Sequence, residues 1–218
     1  SVEAIATADG GVRLVIGDQR PSTMTEVVNG RAFRVDDTGF WQVHRGAAAA
    51  LTAAVQAAVD PARFDAAAEN LDLYGGVGLL AAAVADRFGP TTRIVSVESD
   101  ERAVEHASDN PAEWGGARAE TGRVDRWLRE RLAAGSVTGA DRSTVVLDPP
   151  RSGAGGEVIA SLVGLGPAQL IYVACDPVAF ARDAGSLAEA GYELEHLQAL
   201  DLFPHTHHVE AVARFVRV

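Results

Sequence analysis

From residue 69 the chain repeats one pattern: a short apolar run, a turn, and a segment with apolar residues at helical spacing. Apolar runs at 69–74, 93–98, 117–121, 143–148 and 169–174 alternate with helical segments near 77–88, 100–109, 124–134, 155–164 and 177–190. Strands separated by helices can all run the same way, because each helix carries the chain back across the sheet, and the helices then cover both faces. The end departs from this pattern. Residues 192–202 and 208–217 are two extended runs with too little between them for a crossover helix, so they are expected to pair antiparallel. The predicted fold class is α/β: a Rossmann-like sheet, mostly parallel, closed by a terminal antiparallel hairpin.

Ahead of the repeat, residues 2–7 and 12–17, joined by Asp9-Gly10-Gly11, predict a β-hairpin, and MTEVVNGRAFRV (24–35) predicts a second one turning at Asn29-Gly30. RGAAAALTAAVQAAV (45–59) predicts a helix that ends before Pro61. Residues 1–40 are therefore expected to form a small β element and residues 41–218 the main domain. With 47% hydrophobic and 22% charged residues the composition is globular, and no apolar stretch approaches the ~20 residues of a membrane span. A single cysteine excludes an internal disulfide, a cysteine-ligated zinc and an iron–sulfur cluster built from this chain alone, which makes a reducing cytoplasm the expected compartment. The chain opens Ser1-Val2-Glu3 with no visible targeting segment, and its one methionine is Met24, so the natural start is expected upstream. A net charge of −11 argues against a free-standing nucleic-acid binder, since phosphate binding rests mostly on Lys and Arg. It leaves open a catalytic domain whose substrate is delivered by a separate basic domain.

NLDLYGGVGLLAAAVA (70–85) reads as strand, glycine turn and helix. Gly75, Gly76 and Gly78 permit a tight turn and let a ligand approach the backbone, and the helix that follows offers unpaired amides to a carboxylate or phosphate. A turn that merely joins strand to helix would use the same glycines. Two cofactors suit the layout. Gly76 to Ala81 fits the dinucleotide pattern G-x-G-x-x-A, and Glu98 follows at the spacing where an acid meets a ribose diol. S-adenosylmethionine has the ribose without the pyrophosphate, and Asp72, inside the strand, favours it as an acceptor for the methionyl ammonium. A nicotinamide-dependent oxidoreductase is the alternative.

STVVLDPPRSG (143–153) ends a buried strand with an acid and two prolines, which stop the ladder and leave Asp148 at the carboxyl edge of the sheet, where open α/β folds bind ligands. Arg151 can face an anionic or planar polar substrate, or be a surface arginine. Cys175, in IYVACDPVAFARD (171–183), occupies the same edge one strand over. A lone cysteine is commonly a small buried apolar residue. Here Asp176-Pro177 supplies the signals of a helix start directly after it, and a helix N-terminus favours the nucleophilic thiolate. In DLFPHTHHVE (201–210), Glu210 opens the last strand, next to elements that could bring it near Cys175 as a proton-transfer partner. His205, His207 and His208 raise a metal reading that no ligand spacing or second acid cluster supports; hydrogen bonding or stacking at the site is expected of them.

FWQVHRGAAAAL, LDLYGGVG, SVES, LDPPRSG, YVACDPVAFARD and DLFPHTHHVE, in this order, resemble the RNA uracil-5-methyltransferase family over about Thr25 to Val218. The paired CDP…ARD and FPHTHHVE segments are the most specific pieces. The resemblance implies a class I methyltransferase fold and S-adenosylmethionine-dependent formation of 5-methyluridine in tRNA or rRNA, with S-adenosylhomocysteine as product and no metal. It implies Cys175 as the nucleophile that adds to carbon-6 and Glu210 as the base that removes the carbon-5 proton. Gln42, Tyr74, Glu98 and Asp148 match its cofactor-contacting positions, and Asp148 and Arg151 would help to position the pyrimidine. Three positions depart from the family. Asp176 stands where many members have Asn, and a negative neighbour should oppose thiolate formation unless it is capped or paired; His44 replaces a common Asn, and Leu79 an often polar residue. The family's N-terminal oligonucleotide-binding barrel and the cysteine quartet of some members do not occur in this sequence. RNA is accordingly expected to be gripped by a domain outside it, in keeping with the acidic charge. A non-catalytic domain that keeps the pocket is the other alternative, against which Cys175 and Glu210 argue.

Overall fold

The structure, a computed structural model, describes residues 2–7, 11–16, 21–110, 113–135, 139–203, 205–206 and 208–218. Two hairpins open the chain: β1 (Val2–Ala6) with β2 (Val12–Ile16), and β3 (Thr23–Val28) with β4 (Arg31–Asp36). The expected first turn at Asp9-Gly10 lies outside the described residues. The second turns at Asn29-Gly30, where both residues have positive φ (52° and 84°), the backbone that a two-residue turn between twisted strands requires.

The predicted alternation follows: α1 (Ala47–Ala58), β5 (Asn70–Leu73), α2 (Leu79–Phe88), β6 (Ile94–Glu98), α3 (Glu101–Asp109), β7 (Ala117–Thr121), α4 (Val124–Ala133), β8 (Thr144–Leu147), α5 (Gly156–Leu165), β9 (Gln169–Ala174), α6 (Pro177–Glu189), β10 (Tyr192–Leu200) and β11 (Glu210–Arg217). Strands β5 to β11 form one sheet in the order β10-β11-β9-β8-β5-β6-β7. Strands β5 to β9 run parallel, and β11 runs antiparallel between β9 and β10. This is the mostly parallel α/β sheet with antiparallel final strands that the sequence predicts.

Because side chains alternate across a strand, each central strand feeds two cores. Val146, Ile171 and Val173 pack with α1, α2 and the β3–β4 residues Val28, Phe33 and Val35. Leu71, Leu73, Val145, Leu147, Leu170 and Tyr172 pack on the opposite face with residues of α4, α5 and α6. Continuous apolar strands are what burial on both faces demands. Two buried amides tie the N-terminal ends of the strands. Asn70 accepts from the Thr144 amide at 2.8 Å, and Gln169 donates to Thr144 Oγ1 at 3.0 Å and to the Asp60 carbonyl at 3.1 Å. The opposite, C-terminal edge is left for chemistry.

Candidate active site

A cleft of about 870 Å³ opens along that edge, within the range of cofactor pockets. Gln42, Tyr74, Gly76, Glu98, Asp148, Arg151, Cys175 and Glu210 all line it. Sheet order explains the convergence. Tyr74, Glu98, Asp148 and Cys175 stand at the C-terminal ends of β5, β6, β8 and β9, while Glu210 begins a strand running the other way. Ala211 pairs with Ala174, so Glu210 and Cys175 occupy the next facing position across the β9–β11 seam. Facing residues of adjacent strands have Cα atoms about 5 Å apart.

Asp72 and Gly78 do not line the cleft. Leu71 and Leu73 point to one core, which turns Asp72 to the other face, under the glycine turn and wholly buried. Its Oδ2 accepts from Ser96 Oγ at 3.1 Å and from the Ala81 amide at 3.2 Å, and its Oδ1 has no hydrogen-bond partner. One of the amides at the start of α2 that sequence reasoning offered to a ligand, that of Ala81, is therefore satisfied from within the protein. The glycines divide the work. A Cβ at Gly75 would lie 1.9 Å from Ser96 Oγ and 2.8 Å from Asp72 Oδ2, so only glycine fits above the buried acid. Gly78, at φ 88°, supplies the left-handed backbone from which α2 starts. Gly76, at φ 53°, is the one with open space above it.

Glu98 is held at the cleft by backbone donors: Gly76 N at 3.1 Å, Ser99 N at 2.5 Å and Asp100 N at 2.9 Å. A carboxylate so fixed is suited to accept from a ribose diol. Tyr74, between strand and turn, has φ 61°, a conformation that costs a side chain of this size and is held by the surrounding structure.

The reacting end is crowded with acids. Burial pushes Asp148 up to about 8, with help from Glu210 and Asp72. Burial alone pushes Glu210 up to about 7, and burial pushes Asp72 up to about 6 against its two hydrogen bonds. Cys175, half-buried, is likewise pushed up, first by burial and then by Glu210 and Asp148; its own amide and Arg151 pull the other way. Burial and the neighbouring acids thus oppose the thiolate that the helix N-terminus favours. Asp176 is not the reason. It caps α6, accepting from Val178 N at 3.0 Å and Ala179 N at 2.8 Å.

Sequence reasoning missed part of the wall. Asp36, Phe40, Arg102, His106, Asp125 and Phe203 also line the cleft. Asp36 accepts from Arg102 Nε at 2.8 Å and lies 2.7 Å from His106 Nε2; hydrogen bonds from Arg102 outweigh burial and, with His106, hold its carboxyl down at about 2. No local signal marks these partners, which are 66 and 70 residues apart in sequence. Asp125 had one, an acid just past β7 as Glu98 is at the end of β6. Of the three histidines, His208 stacks edge-on against Phe203, His205 is exposed and His207 lies outside the described residues. Among the described residues no three His, Cys, Asp or Glu side chains converge as a metal site, and no helix is long and apolar enough to cross a membrane.

The family described as tRNA (Uracil-5-)-methyltransferase matches residues 119–217. An uncharacterized RNA methyltransferase of Streptomyces avermitilis is 45% identical over 98% of this chain and 46% of its own length. The 23S rRNA (uracil(1939)-C(5))-methyltransferase RlmD of Acinetobacter baylyi is 35% identical over 68% of this chain and 31% of its own length. Among solved structures, the Pyrococcus abyssi tRNA (uracil-54, C5)-methyltransferase in complex with S-adenosyl-L-homocysteine superposes with a TM-score of 0.71 at 29% identity, covering 95% of this chain and 47% of that one. The chain spans about half the length of the curated relatives it matches over most of its residues. Sheet, cleft and sequence relatives agree: residues 119–217 match the tRNA (uracil-5-)-methyltransferase family, and nearly the whole chain is similar to RNA methyltransferases.

Proposed function

We propose that residues 41–218 form a methyltransferase domain that transfers a methyl group from S-adenosylmethionine to carbon-5 of a uridine in RNA, tRNA or rRNA, through a covalent cysteine adduct. Residues 1–40 are the β element leading into it. The observation that carries this reading is the register of β11 on β9, Ala211 opposite Ala174, which sets Cys175 and Glu210 at the same end of the seam, both lining a cleft that Glu98 also lines.

The residues fit the cofactor. Glu98 suits the ribose, Gly76 leaves room above the turn, and Gln42, Tyr74 and Asp148 complete the wall; Asp72 and Gly78 support the turn from below. When bound, S-adenosylmethionine supplies an electrophilic methyl group. A dinucleotide fits less well, since its pyrophosphate would face Glu98, which already occupies the Gly76 amide.

Carbon-5 of uracil is a weak nucleophile. Cys175 releases its thiol proton to solvent, Sγ adds to carbon-6, and the electron pair of the carbon-5/carbon-6 double bond moves to form an enolate whose carbon-5 takes the methyl group. Glu210 then removes the carbon-5 proton, the double bond re-forms and the carbon–sulfur bond breaks. A base near neutrality suits this task, which is where burial sets Glu210. Asp148 and Arg151 flank the thiol and position the pyrimidine.

The test is incubation of the full-length protein with cofactor and RNA containing 5-fluorouridine. Fluorine does not leave as a proton, so wild type should form a covalent protein–RNA complex that is absent in Cys175→Ala. Glu210→Gln should methylate ordinary RNA and then stall as a covalent adduct that keeps its carbon-5 proton. Methyl transfer without any adduct would refute the nucleophile assignment; NAD binding without S-adenosylhomocysteine binding would decide for an oxidoreductase.

A further inference from the structure

The ARD end of the cysteine motif has no part in the mechanism, yet it carries the most densely bonded carboxylate beside the site. Asp183 lies on α6, two turns after the cap, and is 1% exposed. A helix packed on a sheet has no need of a buried carboxylate there, and burying one is costly unless its oxygens are paired. Its Oδ2 accepts from Tyr172 Oη at 2.7 Å, Ala154 N at 2.7 Å and Gly155 N at 3.3 Å. Its Oδ1 accepts from Arg182, which also donates to the Ser152 carbonyl at 2.7 Å. Apart from Tyr172 and Arg182, every one of these partners belongs to the loop between β8 and α5.

That loop is the continuation of Asp148-Pro149-Pro150-Arg151. Gly153 N donates to the Pro150 carbonyl at 2.8 Å, closing a turn, and a Cβ at Gly153 would lie 2.5 Å from Arg182 Nη2 and 2.6 Å from Asp183 Oδ2. The loop and the carboxylate are therefore fitted to each other, with glycine at the point of closest approach. Tyr172 comes from β9, three residues before Cys175. The strand and helix that flank the thiol thus grip the loop that carries the acid beside it.

We propose that Asp183, with Tyr172, is the positioning residue that latches loop Ser152–Gly155 and so holds Asp148 and Arg151 in register with Cys175. The inference rests on the methyl-transfer reading for its effect on rate, and on hydrogen bonds alone for the latch.

The full-length protein separates the two. In Tyr172→Phe and Asp183→Asn, hydrogen exchange at the Ala154 and Gly155 amides should quicken at least tenfold while β5 and β6 stay protected. Turnover on RNA should fall at least tenfold with the dissociation constant of S-adenosylhomocysteine within threefold of wild type, and Asp183→Glu should recover part of the rate. Tyr172→Phe removes one hydroxyl and keeps the core filled, so it tests the latch even if Asp183→Asn does not fold. Unchanged exchange in Tyr172→Phe overturns the latch, and faster exchange at unchanged turnover overturns its positioning role. A wild type inactive on uridine refutes the proposed function, and the exchange rates still decide the latch.

Discussion

Asp72, Asp148 and Glu210 hold protons that the same residues release in the unfolded chain at pH ~4. Their folded values, about 6, 8 and 7, are all raised. Between pH ~4 and ~8 the folded state therefore binds more protons than the unfolded one, and stability falls as pH rises through that window before levelling off. Asp36 works the other way, its stabilisation present above pH ~4 and lost only as pH falls through about 2, so it does not interfere. Ligand-free protein should melt at a lower temperature at pH 8.5 than at pH 6, and Asp148→Asn should remove the largest share of the difference. Thermal melts of the two proteins at both pH values check this, and an identical pH dependence in the variant would contradict it. The sequence pointed to these carboxyls because acids at strand ends are visible in it. It did not reveal their protonation, which depends first on how deeply the folded sheet buries them, nor that Asp72 faces α2, which is decided by which core Leu71 and Leu73 enter.

At the scale of elements, helices and strands were legible because their apolar periods are regular and their ends are punctuated. Asp176-Pro177 is the clearest case: the predicted cap is present with two amides on one oxygen. Asp176→Ala should lower stability by about 1 kcal/mol and Asp176→Asn by much less, since Asn caps as well as Asp. Urea denaturation of both variants measures the split, and equal losses would mean that the charge, not the cap, matters. Neither variant removes an acid that pushes up the thiol, because Glu210 and Asp148 do that. What the pattern did not carry was strand order. Antiparallel pairing of the last two runs was evident, but the position of β11 on the inner side of β10 depends on which edge buries Val212 and Phe215.

For the whole molecule, the net charge of −11 meets a surface whose arginines are largely engaged, as in Arg31 with Asp86, Arg102 with Asp36 and Arg131 with Glu69. All nineteen cationic side chains are arginine, suited to such fixed pairs. Little is left for phosphates. Residues 1–218 alone should bind S-adenosylhomocysteine yet hold RNA weakly, with micromolar or poorer affinity at physiological salt. Filter binding of a tRNA or rRNA fragment tests this, and tight binding would show that the domain grips RNA unaided.

The place of β11 also sets an order of assembly. A ribosome makes β10 before β11, yet β10 lies outside it, so the sheet stays open beside β9 until residues 210–217 arrive. Cys175 is synthesised 35 positions ahead of Glu210. On the proposed mechanism, a nascent or truncated chain would carry the nucleophile with nothing to complete its reaction, and the insertion of one strand would both seal the core and complete the site.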